Sequence, residues 1–168
     1  MEEIINKVKQ SGLIQIDLED LRPKGERVFI DIAPQLFMGL ALREKDFRTF
    51  IQTHDWSQYQ GKHVAIACTA DAIIPTWAYM LISSQLSGKA STIVYGSLAD
   101  LEKHLFEQVI QDMDLVPYDD AKIVIKGCSK ESVPLDAYVS LTNRLRPLAR
   151  SLFFGEPCST VPIYKKAK

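Results

Sequence analysis

The stretch His63–Gly88, HVAIACTADAIIPTWAYMLISSQLSG, sets the reading of the whole chain. Its first five residues, HVAIA, are continuously apolar after the histidine, the pattern of a strand covered on both faces in a parallel sheet. Cys68 stands at the end of that strand, and a loop runs over Thr69–Ile74. A helix can open at Pro75, because proline in the first helical position removes only an N–H that has no helical partner there. It runs through TWAYMLISSQL and stops at Gly88. Strand, loop and helix in this order make half of a parallel crossover unit.

The same alternation extends in both directions. Upstream, VFIDI (28–32) reads as a strand, and LREKDFRTFIQT (42–53) as a helix that carries Phe47, Phe50 and Ile51 on one face before DWSQYQG (55–61) breaks the pattern. Downstream, TIVY (92–95) is a strand. Ser97 with Asp100 resembles a capping box, opening a helix with Leu98, Leu101, Leu105 and Val109 at helical spacing that ends before Pro117. KIVIK (122–126) is a further strand, closed by Gly127-Cys128-Ser129. Pro134 then opens a helix carrying Leu135, Tyr138, Leu141, Leu145 and Leu152, and the tail GEPCSTVPIYKKAK reads as irregular. Four strand–helix alternations predict an α/β fold: one mainly parallel sheet with helices on both faces, a Rossmann-like three-layer arrangement. LIQIDLEDL adds an edge strand at the N-terminal side. No repeat, low-complexity run or long linker divides the chain, so residues 1–168 are expected to form one domain.

Composition narrows the classes of function. The chain has 46% hydrophobic and 24% charged residues, an ordinary globular balance. Its 20 basic and 21 acidic residues leave a net charge of -1, without the excess of positive charge that nucleic-acid binding draws on. The opening residues MEEIINKVKQSG contain two acids and no apolar core of a signal peptide, and no window approaches the roughly 20 apolar residues that cross a bilayer. A cytoplasmic protein without membrane or nucleic-acid partners is expected. Three cysteines cannot all pair in disulfides, which leaves core filler, metal ligands or reactive thiols as their roles.

In open parallel sheets, ligands bind beyond the carboxyl ends of the strands, where loops and helix N-termini converge. Cys68-Thr69-Ala70-Asp71 follows one strand, Gly96-Ser97 the next and Gly127-Cys128-Ser129 a third. Cys158, in GEPCST, follows the last helix, and it reaches the same edge if the chain reverses at Gly155 and Pro157. Three thiolates at one place suit Zn²⁺ or an iron-sulfur cluster, with Asp71 or Glu156 as the fourth ligand. There is no C-x-x-C pair, so only the tertiary fold could assemble such a site. Two other readings stand beside it. Cys68 is the best placed of the three for a nucleophilic thiol, with Cys158 to resolve it, whereas cysteine is also a common small core residue.

The other candidates carry less. His54, His63 and His104 sit apart in sequence and read as surface or capping residues. Arg144, Arg146 and Arg150 with Lys165-Lys166 suggest an anion site near Cys158, but basic residues also favour the last turns of a helix. Gly25, Gly39 and Gly127 form no dinucleotide fingerprint or P-loop, so no nucleotide cofactor is expected. Trp56, Trp77 and Tyr79 read as core or rim aromatics.

The segments HDWSQYQGKHVAIACTADAIIPTWAYML (54–81), VIKGCSK (124–130) and FGEPCSTVPIYK (154–165) carry a family resemblance. Over essentially its whole length the chain resembles an uncharacterised Bacteroidetes family, number 2480 of the domain-of-unknown-function series. That resemblance implies an association: members are often encoded near SUF-type machinery for iron-sulfur cluster assembly. It adds weight to cluster or metal handling through Cys68, Cys128 and Cys158, with iron-sulfur assembly proteins as partners, and also to a sulfur carrier holding a persulfide. An accessory protein of iron-sulfur or metal metabolism is therefore expected. A cysteine-based thiol enzyme or persulfide carrier using Cys68 and a non-catalytic interaction module remain as alternatives.

Overall fold

The protein is described here by a computed structural model covering residues 12–126, 132–156 and 158–167. Among these residues the chain forms seven strands, β1 (Leu13–Ile16), β2 (Arg27–Asp31), β3 (His63–Ala67), β4 (Thr92–Tyr95), β5 (Lys122–Ile125), β6 (Ser151–Glu156) and β7 (Ser159–Lys165). The four α-helices are α1 (Glu44–Thr53), α2 (Thr76–Leu86), α3 (Leu98–Asp112) and α4 (Leu135–Leu145). The strands are mostly parallel, as the alternation implies, but they build two sheets and not the single sheet expected from sequence. One has the order β1-β5-β6-β7 and the other β2-β3-β4.

The chain divides into two compact units. One comprises residues 1–23 and 105–168, the other residues 24–104. The middle unit is continuous. Its strands pair in sequence order, β2 with β3 and β3 with β4, all parallel, with Ile30 opposite Ile66 and Val64 opposite Ile93. The central strand β3 has Val64 and Ala65 fully buried and Ile66 nearly so, which accounts for its unbroken apolar run. Val64 and Ile66 pack with Ile30, with Phe47 and Ile51 of α1, and with Ala78, Ile82 and Leu86 of α2. Each fully buried Val, Ile, Leu or Phe among them contributes about 1.5–3 kcal/mol.

The other unit is discontinuous. β1, the N-terminal edge strand read from LIQI, pairs parallel with β5, placing Ile16 opposite Ile125. β6 pairs parallel with β5, Ile123 opposite Leu152, and β7 returns antiparallel along β6. Ile16, Ile123, Ile125 and Leu152 share one face and pack against Phe106 and Ile110 of α3 and Ala137, Leu141 and Leu145 of α4. Within each unit the assembled core cluster thus lies on one face of its sheet.

The last third of the chain departs most from the sequence reading. The final helix stops at Leu145, and Leu152, which keeps the helical spacing, belongs to β6. The tail is not irregular but a β-hairpin. Pro162 is tolerated because β7 is an edge strand among the described residues, with one side of its backbone unpaired there. Gly155 takes φ +124°, and a Cβ there would lie 2.5 Å from the Ser159 carbonyl oxygen, so the close approach beside the turn admits only glycine. No helix among the described residues is long and apolar enough to cross a membrane.

Candidate functional site

In the middle unit the carboxyl ends of the three parallel strands meet at Asp31, Cys68-Thr69 and Gly96-Ser97. Asp31, the last residue of β2, organises this edge. Its Oδ1 accepts from the N–H groups of Ala33 (2.9 Å) and Thr69 (3.0 Å), and its Oδ2 accepts from the Thr69 hydroxyl (2.5 Å). Burial pushes the Asp31 pKa up, but the hydrogen bonds from the Thr69 hydroxyl and from the two backbone amides outweigh it, and the carboxyl stays below its ordinary range. The bond from Ile32 N–H to the Ala67 carbonyl carries the β2–β3 pairing one residue further. The loop leaving β3 is therefore held on both sides of Cys68.

Cys68 is a free, half-buried thiol whose one hydrogen bond among the described residues is a long S–H contact to the Ala70 carbonyl, 3.7 Å. Tyr79 of α2 lies near enough to sense it. The Tyr79 phenol is pushed up by burial, and further by Tyr95 and Cys68, so it stays protonated at neutral pH. Tyr79 and Tyr95 meet edge to face with centroids 5.1 Å apart, and Tyr95 is exposed. On the neighbouring strand end, Ser97 and Asp100 form the reciprocal capping box read from sequence. Asp100 N–H donates to Ser97 Oγ (3.2 Å) and Ser97 N–H to Asp100 Oδ2 (2.8 Å). The helix α2 starts at Thr76, eight residues after Cys68, across the loop that the sequence pattern places between them.

In the other unit the carboxyl edge carries Asp17 after β1, Lys126 after β5 and Glu156 at the end of β6. The Lys126 ammonium bonds Asp17 Oδ2 at 2.9 Å. The hydrogen bond and charge of Asp17, reinforced by Glu156 and Asp20, raise its pKa. Cys158 is exposed in the two-residue connection between Glu156 and Ser159. Because β6 runs parallel to β5, the chain reversal needed to bring Cys158 to this edge is made by a strand climbing back from the end of α4.

The predicted ligands are thus distributed as follows. Cys68 and Asp71 belong to the middle unit and Cys158 to the other, while Cys128 lies outside the described residues. Asp71 is exposed and makes no hydrogen bond or ion pair among the described residues. No group of three or more His, Cys, Asp or Glu side chains among them is arranged to hold a metal ion. His63 corrects the sequence reading of the histidines. It is buried, not at the surface, with Nδ1 3.0 Å from the Thr92 hydroxyl and Nε2 2.8 Å from the Lys24 carbonyl. His54 caps the end of α1 beside the Tyr59 hydroxyl (2.9 Å), and His104 is exposed. Sequence reasoning passed over Asp31, whose signal was an acid at the end of an otherwise apolar strand. It also gave no sign of an apolar groove of about 560 Å³ between α4 and β5–β7, lined by Leu135, Tyr138, Val139, Phe154 and Ile163 among others.

No curated protein and no solved structure matches this chain. A family model described as "Protein of unknown function (DUF2480)" matches residues 2–166, and the chain belongs to that family.

Proposed function

We propose that the protein is a cysteine-dependent accessory of sulfur or iron-sulfur metabolism, with Cys68 as its working sulfur. The observation that carries this reading is the setting of Cys68: a half-buried free thiol at the carboxyl end of the central strand of a parallel sheet, on a loop fixed by Asp31. Ligand chemistry in parallel sheets concentrates at this position. In a carrier role, the Cys68 thiolate attacks the outer sulfur of a donor cysteine persulfide. A new S–S bond joins that sulfur to Cys68, and the donor leaves as its thiolate, with no net oxidation.

A second reading, cysteine ligation of zinc or an iron-sulfur cluster, is favoured by the return of Cys158 to the carboxyl edge of its sheet. Cys68, Cys128 and Asp71 are the further ligands that the sequence offers to it, and iron-sulfur assembly proteins are its natural partners. One preparation separates the readings. Protein purified without oxygen is analysed for metal and acid-labile sulfide, then treated with a low-molecular-weight persulfide and mapped by mass spectrometry, alongside the three single Cys→Ser variants. Carrier function gives metal-free protein with a sulfur adduct on Cys68, lost in Cys68→Ser and kept in Cys158→Ser. Stoichiometric metal that each Cys→Ser substitution removes overturns it in favour of ligation.

A further inference from the structure

The basic residues of the C-terminal region do not gather around Cys158, as their order in sequence suggests. Arg144 reaches the end of α3, its Nη1 donating to the carbonyls of Ile110 and Gln111. Arg146 lies over the Tyr164 ring, 4.6 Å from its centroid. Both are thereby accounted for as structural contacts. Arg150, Lys165 and Lys166 collect instead at the open end of the β6–β7 hairpin, the opposite end from Cys158, because Ser151 pairs with Lys165 while Glu156 pairs with Ser159. There they meet Lys122, a residue that the sequence pattern did not connect with them, since Lys122 is the parallel partner of Ser151.

The result is a built cleft. Lys122, Ser151 and Lys165 stand in one row across three adjacent strands, with Ser151 buried between the two lysines. Neighbouring strands are about 4.8 Å apart, so the two lysine stems are roughly 10 Å apart with the serine midway. Main-chain hydrogen bonds set the rest of the rim. Arg150 N–H donates to the Ala121 carbonyl (2.8 Å), Lys166 N–H to the Arg150 carbonyl (2.9 Å) and Asp120 N–H to the Leu148 carbonyl (2.9 Å). Asp120 adopts a left-handed φ of 49°. Its carboxylate engages Arg150 through Nη2. Among the described residues none of the three lysines forms a salt bridge, so four cations face one carboxylate around a volume of about 340 Å³. A chain with net charge -1 has concentrated positive charge here, and like charges held on adjacent strands repel one another.

We propose that this cleft, lined by Lys122, Arg150, Ser151, Lys165 and Lys166, binds a compact phosphate-class dianion, either free phosphate or the phosphoryl group of a small ester. Three ammonium groups supply point charges and the Arg150 fork supplies directed donors, for which the Asp120 carboxylate competes with an incoming anion. The volume is at the small end of ligand sites, which span roughly 300–1,000 Å³, and suits a phosphoryl group with a short substituent.

The test is calorimetric titration of the full chain with inorganic phosphate and with methyl phosphate at constant ionic strength. Saturable one-to-one binding is expected. It should weaken about tenfold in Arg150→Ala and again in Lys166→Ala, the scale of one charge-assisted hydrogen bond. Asp120→Asn should bind more tightly, a gain that damage to the fold cannot mimic. Tighter binding of methyl phosphate than of phosphate identifies an ester as the ligand, and the reverse identifies the free ion. Absence of saturation in the wild type, equal affinity in Arg150→Ala, or binding seen only with a single-stranded oligonucleotide would each overturn the proposal.

Discussion

Asp31 illustrates how one side chain fixes the geometry of an edge that the backbone leaves open. A strand end has amides without ladder partners, and here a single carboxylate collects two of them together with a hydroxyl. An ionised acid accepts more strongly than an amide oxygen, so Asp31→Asn is expected to cost about 1 kcal/mol and to loosen the Cys68 loop. The pH dependence follows from the direction of its pKa. Asp31 in the unfolded chain titrates near the ordinary value of 3.8, and in the folded protein below it. Its contribution is present above that value and is lost as pH falls through it toward the lower folded value. Between pH 6 and pH 3 the urea midpoint of the wild type should therefore fall further than that of Asp31→Asn; parallel curves would refute this role. Cys68 was legible at this scale because a strand's apolar run ends visibly. Asp31 was not, since its partner Thr69 is 38 residues away and only the β2–β3 register joins them.

The β6–β7 hairpin shows why element type fails locally in sequence. Leu141, Leu145 and Leu152 keep a spacing that a helix also produces, while Gly155, Pro157 and Pro162 look like terminators. Gly155 and Pro162 each have a specific strand reading that depends on a neighbour. Gly155 is required by the Ser159 carbonyl across the hairpin, and Pro162 is allowed by its place on a free edge. By contrast, the capping box at Ser97 and Asp100 was readable because it is closed within four residues. If the close approach at Gly155 is what permits the turn, Gly155→Ala combines left-handed strain with a backbone clash. It should lower stability by about 1–3 kcal/mol, measured as a shift of the urea midpoint. An unchanged midpoint would mean that the turn relaxes freely.

At the level of the whole molecule, the alternation of strands and helices was legible, but the partition into two sheets was not. β1 finds its partner β5 more than 100 residues later, and the division between units falls inside the continuous helix α3, between His104 and Leu105, where no linker composition marks it. Hydrophobic periodicity reports which side of an element is buried, not which sheet receives it. The two core clusters share no residue: one is built around Phe47, Val64 and Ile82, the other around Phe106, Ile123 and Leu141. Truncating a fully buried Phe or Leu costs about 2–5 kcal/mol, from the forfeited transfer energy and the cavity left behind. Phe47→Ala should accordingly reduce amide hydrogen-exchange protection most in β2, β3, β4, α1 and α2, and Leu141→Ala most in β1, β5, β6, β7 and α4. Each profile should be centred on its own cluster, because the free energy of local opening falls where the substitution has thinned the packing. Equal loss of protection across all seven strands in both variants would show instead that the two clusters open only together, as a single cooperative core.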